Sequence, residues 1–203
     1  MIYPKNFRSN ELTIDDNTFQ NSGSNMSHEE IKNKAVEEFE LLHDKIQSQG
    51  VKITVFNDSR DIDTPDAVFP NNWISFHKNN KAITYPMYAR NRRLERTQLA
   101  IECLNKDDKD ISIEHDYSNF ENDNMFLEGT GSLVLDRLNK LAYCTLSQRS
   151  NEELVNRFCI DMGYNPVVFK SYHLDKPIYH TNVVLSICNK FSVVCLESII
   201  DKK

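Results

Sequence analysis

A chain of 203 residues with 39% hydrophobic and 10% aromatic residues is enough for one ordinary domain with a real core. A net charge of -6 and a pI near 5.5 speak against a nucleic-acid or anionic-membrane surface, since both demand a basic footprint, and leave small molecules or proteins as partners. The 5 cysteines lack metal-type CxxC spacing, the start lacks a signal-peptide pattern, and no apolar run approaches the roughly 18 residues of a membrane span, so a reducing cytoplasm is expected.

In chain order, Ser27-His28-Glu29-Glu30 reads as a capping box that predicts a helix start. Ile31, Ala35, Phe39, Leu42 and Ile46 then recur with helical period up to Gly50, which suits a left-handed C-terminal cap. Residues 51–56 alternate as a strand. Asp66-Ala67-Val68-Phe69-Pro70-Asn71-Asn72-Trp73 leads into a first hairpin, residues 73–77 and 81–85, followed by an amphipathic helix over 91–104 and a strand over 111–114. Phe126-Leu127-Glu128-Gly129-Thr130-Gly131-Ser132 opens a second hairpin. A second capping box at Ser150 and Glu153 starts a helix striped by Leu154, Phe158 and Met162; Gly163 ends it, and 167–169 form a strand. Tyr179-His180-Thr181-Asn182 opens the third hairpin, 183–187 and 191–195.

The grammar is a repeat of hairpin, helix and strand, with hairpin starts at Trp73, Ser132 and Val183, a period suited to propeller-like modules. A module that cannot bury its own apolar face needs neighbours, and radial packing would gather the loops before each hairpin around one axis. Asn72, Glu128 and His180 are therefore expected to meet. The third hairpin is not followed by a helix and strand, so the reading is a single incomplete domain over 1–203 whose open edge favours self-association.

Glu128, between apolar residues and two glycines, is placed to grip a planar cation such as guanidinium, although a solvated rim charge beside a turn is the commoner fate of such an acid. His180 suits a proton shuttle, against the plainer reading of a structural histidine, which is the reading for His77 and His173. Asp66, Asn71 and Asn72 present carboxylate and amide groups at the first hairpin's mouth, or simply form a Pro-Asn turn. Arg90, Arg92, Arg93 and Arg96 crowd a helix start where they do not help its dipole, which suggests an anionic ligand; a solvated basic face is the alternative. Cys188 and Cys195 lie in an apolar hairpin and read as buried small hydrophobes rather than nucleophiles. No histidine pair has metal-site spacing, so no metal or cofactor is expected.

These motifs, together with Pro4-Lys5-Asn6-Phe7, Asn17-Thr18-Phe19-Gln20, Tyr85-Pro86-Met87 and Asn91-Arg92-Arg93-Leu94-Glu95-Arg96, resemble the pentein superfamily of guanidine-modifying enzymes, nearest its citrulline-utilisation hydrolases. The resemblance implies an α/β fold, a pentein-type α/β propeller, of which this chain is about three and a half of five modules. It implies a hydrolase of guanidino or ureido compounds that works through a covalent cysteine carried by a later module, so that the chain as given is expected to be inactive. Within it, Glu128 orients the substrate, His180 is the acid and base, and Asp66, Asn71, Asn72, Asn182 and one of Arg92 and Arg93 bind the ligand, the arginine through its α-carboxylate. Asn72 and Asn182 replace aspartates that many members use against a cationic guanidinium, which suits a neutral ureido group. An amidinotransferase, or a non-catalytic ligand-binding or interaction protein, is the alternative.

Overall fold

Helix α1 (His28–Ser48) starts where the sequence places it: Glu30 N donates to the Ser27 hydroxyl at 3.3 Å, and Ser27 N donates to the Glu30 carboxylate at 2.7 Å. Gly50, at φ 81°, adopts the left-handed conformation just beyond its end. This computed structural model describes residues 1–17, 19–20, 26–106 and 110–200, so Thr18 of the Asn17–Gln20 motif lies outside the described residues. None of the α1 side chains is buried. Its inner row runs Ile31, Ala35, Phe39, His43 and Ile46, with Phe39 edge-on to Tyr3 at 5.6 Å, whereas Leu42, expected in the stripe, is 51% exposed.

Residues 51–56 are extended but form no strand ladder. Phe56 alone makes a bridge, parallel to Ile2; beyond it the amino-terminal segment meets the chain through side chains, Lys5 Nζ donating to the Arg60 carbonyl at 3.0 Å and Asn6 Nδ2 to the Ile62 carbonyl at 2.6 Å.

The hairpin-helix-strand module is seen twice. In the first, β1 (Ile74–Phe76) and β2 (Lys81–Thr84) pair antiparallel with Ser75 opposite Ile83, and β3 (Ser112–Asp116) adds parallel to β2. Asn79 and Asn80 make the hairpin turn with φ of 61° and 56°, a conformation asparagine tolerates better than most residues. The single helix expected over 91–104 is two, α2 (Arg90–Arg93) and α3 (Gln98–Asn105). Thr97 takes extended dihedrals and accepts from Leu99 N at 3.2 Å, so its hydroxyl caps a new helix instead of continuing the old one.

The second module pairs β4 (Val134–Asp136) with β5 (Leu141–Thr145) and then runs through α5 (Glu152–Met162) to β6 (Asn165–Phe169), parallel to β5. The cap of α5 is Asn151, which accepts from Glu153 N and Leu154 N, not Ser150 as expected. Ser150 is diverted inward, where its hydroxyl donates to Ser132 at 2.8 Å. Gly163 closes the helix at φ 65°. A small hairpin that the sequence reading lacked, β7 (Tyr172–His173) with β8 (Lys176–Pro177), precedes the third main hairpin, β9 (Leu185–Ile187) with β10 (Ser192–Val194).

The modules bury their apolar faces against each other. The largest core sets Ile83 and Tyr85 of the first module against Leu133, Leu154 and Phe158 of the second. A second core lies under Trp73, Met87 and Ile101, and a third joins Val184 and Leu185 to Val134, Tyr143 and Phe169. Each fully buried large side chain contributes roughly 2–3 kcal/mol, and the first and third of these cores are shared between modules and tie them together. The result is a mixed α/β fold whose described strands form separate two- and three-stranded sheets.

Candidate active site

Each main hairpin is entered through a short helical turn: Pro70–Asn72 before β1, α4 (Gly129–Ser132) before β4, and Thr181–Val183 before β9. The three turns pack together because the middle one is built from glycine. A Cβ on Gly129 would lie 2.4 Å from the Asn71 carbonyl oxygen, and one on Gly131 would lie 2.4 Å from Asn72 Nδ2 and 2.7 Å from His180 Nδ1. Hydroxyls sew the turns further: Thr181 Oγ1 donates to the Ser132 carbonyl, and Ser132 Oγ donates to the Arg149 carbonyl at 3.0 Å. Asn72, Glu128 and His180 thus meet, as the repeat predicts.

Glu128 is fully buried rather than a solvated rim charge. One carboxylate oxygen accepts Tyr88 N at 3.0 Å; the other lies 2.8 Å from His180 Nε2 and 3.5 Å from Arg149 Nη1. Burial pushes this carboxyl up, but the His180 hydrogen bond and the charges of Arg149 and Arg92 outweigh it and hold the pKa at about 2. An ionised Glu128 can only accept, so Nε2 of His180 carries the proton and Nδ1 keeps its lone pair. Burial also lowers the His180 pKa, in spite of Glu128, so the ring is neutral at neutral pH. Among the described residues no buried side-chain nitrogen or oxygen lacks a hydrogen-bond partner. His180 Nδ1 and Asn72 Nδ2 both lie against Gly131, within 2.7 Å of where a Cβ there would sit. A cavity of about 330 Å³ is bordered by Asp15, Asp16, Tyr88, Ser147 and Tyr179, but not by Asn72, Glu128 or His180 themselves.

Arg149, absent from the sequence expectation, is the cation of this site. Its fork is taken by Asp16 at 2.6 and 2.7 Å, and its guanidinium lies 4.5 Å above the Tyr179 ring. The contact pins the amino-terminal segment across the mouth. Asn10 reinforces it, donating to Asp66 at 2.6 Å and accepting from Asn91 at 2.9 Å.

A family model described as N,N dimethylarginine dimethylhydrolase, eukaryotic, matches residues 3–203. The chain belongs to this family. Its dimethylhydrolase membership places it in the pentein superfamily of guanidino-modifying enzymes, as the motifs indicate. A sequence search against curated proteins finds no match. Among solved structures, the substrate-bound amino-terminal domain of ArgZ, an arginine dihydrolase from the ornithine-ammonia cycle in Cyanobacteria, aligns with TM-score 0.70 and 14% identity over 98% of this chain and 67% of that one. Unliganded AgrE aligns with TM-score 0.70 and 14% identity over 98% of this chain and 27% of its own. A dimethylarginine dimethylaminohydrolase adduct with 4-chloro-2-hydroxymethylpyridine aligns with TM-score 0.56 and 20% identity, covering 80% and 60%. At such identities the likeness shows the fold alone.

The remaining expected residues separate. Asp66 and Asn71 are half-buried at the edge of the turn cluster, Asp66 held by Asn10 and the Asn71 carbonyl by the Thr130 hydroxyl at 3.3 Å. Asn182 is exposed. Arg92, read as one of two carboxylate binders, is turned inward: Nε and Nη2 reach Glu95 at 2.9 and 3.0 Å, Nη1 reaches Asn72 Oδ1 at 2.7 Å, and Nη2 reaches the Phe69 carbonyl at 3.1 Å. Arg93 keeps more exposure but spends Nε and Nη2 on the Met87 and Tyr88 carbonyls. Arg96 holds Glu121 at 2.9 Å, and Arg90 is exposed. Cys188 and Cys195, each just beyond the end of a strand of the third hairpin, are exposed, not buried as expected. His77 is structural: its Nε2 meets the Ser75 hydroxyl at 2.8 Å, and burial lowers its pKa to about 4. Among the described residues no cluster of His, Cys, Asp and Glu forms a metal site, and no helix is long and apolar enough to cross a membrane.

Proposed function

We propose that this chain supplies the substrate-orienting and proton-transferring part of a carbon-nitrogen hydrolase acting on a guanidino or ureido amino acid. One observation carries the reading: a buried, ionised Glu128 fixes the tautomer of a neutral His180 at 2.8 Å, leaving the Nδ1 lone pair as a base beside Asn72. Glu128 also offers the charge that a guanidinium edge would meet. His180 Nδ1 would take the proton of the attacking thiol, pass it to the leaving amine and afterwards take another from the attacking water, with Glu128 holding the ring through each transfer.

The covalent step of this chemistry needs a thiolate. None of the 5 cysteines is suited to supply it. Burial pushes the Cys144 thiol up to about 12 and the Cys159 thiol up to about 11, Cys103 points at the Val55 carbonyl at 3.9 Å, and Cys188 and Cys195 sit on the outer hairpin. The 203-residue chain is therefore expected to bind its ligand without turning it over. Incubation with L-arginine and L-citrulline should release no ammonia, while calorimetric titration should register binding that His180→Ala weakens. Steady ammonia release that disappears in Cys144→Ala, Cys188→Ala or Cys195→Ala would overturn the assignment.

A further inference from the structure

Among the described residues, two complementary halves of a module stand apart from each other. In the first two modules the second hairpin strand is paired by a parallel strand that follows a helix, β3 beside β2 and β6 beside β5. There Ala82, Ile83, Ala142 and Cys144 are fully buried. On the third hairpin β10 pairs with β9 alone, and Phe191 and Val193 are 63% and 61% exposed. Cys188 N donates to the Phe191 carbonyl and Cys195 N to the Val184 carbonyl, so alternation turns the backbone groups of Ser192 and Val194 to the open edge.

The converse half is α1 with residues 51–56, a helix and an extended segment that pair with no hairpin. The amino terminus holds one edge of the segment, since Met1 N donates to the Thr54 carbonyl at 2.7 Å and Phe56 N to the Met1 carbonyl at 2.9 Å. Ile53 and Val55 turn to the other edge, where neither amide has a backbone partner among the described residues and Cys103 Sγ lies 3.9 Å from the Val55 carbonyl. Beside it an open groove of about 330 Å³ is bordered by Phe39, Glu40, Asp44 and Val55.

We propose that copies of this chain associate head to tail, residues 51–56 of one copy pairing parallel to β10 of the next, so that a helix-and-strand unit completes a hairpin between molecules as α5 and β6 complete one within the chain. Charge favours this pairing over hairpin meeting hairpin. Helix α1 carries six carboxylates and three lysines, whereas residues 170–200 carry three lysines and two carboxylates, with Lys190 at the hairpin turn next to Phe191. The contact joins two different surfaces, so a variant that spoils one leaves the other intact.

The test is sedimentation velocity of the 203-residue protein over about 1–100 μM, with the fold of each variant checked by circular dichroism. The wild-type protein should associate reversibly as concentration rises. Val193→Asp, which charges the exposed hairpin, and Ile53→Pro, which removes an amide from the open edge, should each weaken association by roughly tenfold or more. Mixed in equal amounts, these two variants should form a heterodimer and stop there, because one keeps a working hairpin and the other a working helix-and-strand unit. A wild-type protein that stays monomeric throughout overturns the proposal. Association that Ile53→Pro leaves intact also overturns it, since hairpins would then be pairing with each other, and so does a mixture that stays monomeric. If Ile53→Pro does not fold, Glu40→Lys with Asp44→Lys, both at exposed positions, replaces it in both measurements.

Discussion

Helix α1 and the cluster of three turns are opposites in how they are specified. The helix carries strong local signals, a complete capping box and a left-handed glycine beyond its end, yet none of its residues is buried. The turns have short, irregular backbone and weak propensity, yet they hold Glu128 and Thr181 at 0% exposure in a network of hydroxyls, amides and paired charges. Local preference makes a segment fold in a known shape; burial and polar satisfaction make a site hold one geometry.

That contrast predicts an ordering of mutational costs. Glu128→Ala should be the most damaging change, about 3–5 kcal/mol by urea unfolding, because it leaves buried donors without their acceptor and Arg149 with one carboxylate fewer. Gly131→Ala should follow at about 1–3 kcal/mol, since a methyl group there is driven against Asn72 and His180; a cost near zero would mean that the turns yield easily. Acid should expose the same region. The Glu128 pKa falls from 4.5 in the unfolded chain to about 2 in the fold, so its stabilisation is complete above pH 4.5 and is lost as pH drops toward 2. Glu128→Gln should flatten the pH dependence of stability within that window.

On the helix the effects should be smaller. Ser27→Ala removes one half of the capping box and should cost about 1 kcal/mol. Leu42→Ser, at a position 51% exposed, should fall within about 0.5 kcal/mol of the parent. A cost at Leu42 comparable to that at Gly131 would erase the distinction and mark the outer face of α1 as covered in solution.

The sequence made regular periodicity legible and hid competition for partners. The hairpins and the glycine stops needed only local information. The start of α5 was displaced by one residue because the Ser150 hydroxyl is claimed by Ser132, a contact across two turns that spacing does not reveal. The break between α2 and α3 came from Thr97 and from Arg96 turning in toward Glu121. Among the site residues, Glu128, His180 and Asn72 were found through their equivalent places in the repeat. Arg149 was missed because Ser147-Gln148-Arg149 has no motif of its own, although the repeat held a signal: an inward arginine follows each of the first two hairpins, Arg92 and then Arg149.

The ion pair between Asp16 and Arg149 joins groups 133 positions apart in the chain. Closing so long a loop costs entropy that local contacts cannot offset, whereas the turns and sheets gain their neighbours over shorter spans. We expect the mouth of the cavity to be the last part to assemble, so that a refolding chain has its carboxylate, imidazole and amide in register before the amino-terminal segment seals over them. Pulse-labelled hydrogen exchange would show this as protection of Val155 ahead of Thr13, and simultaneous protection would mean that the segment is part of the nucleus rather than its late cover.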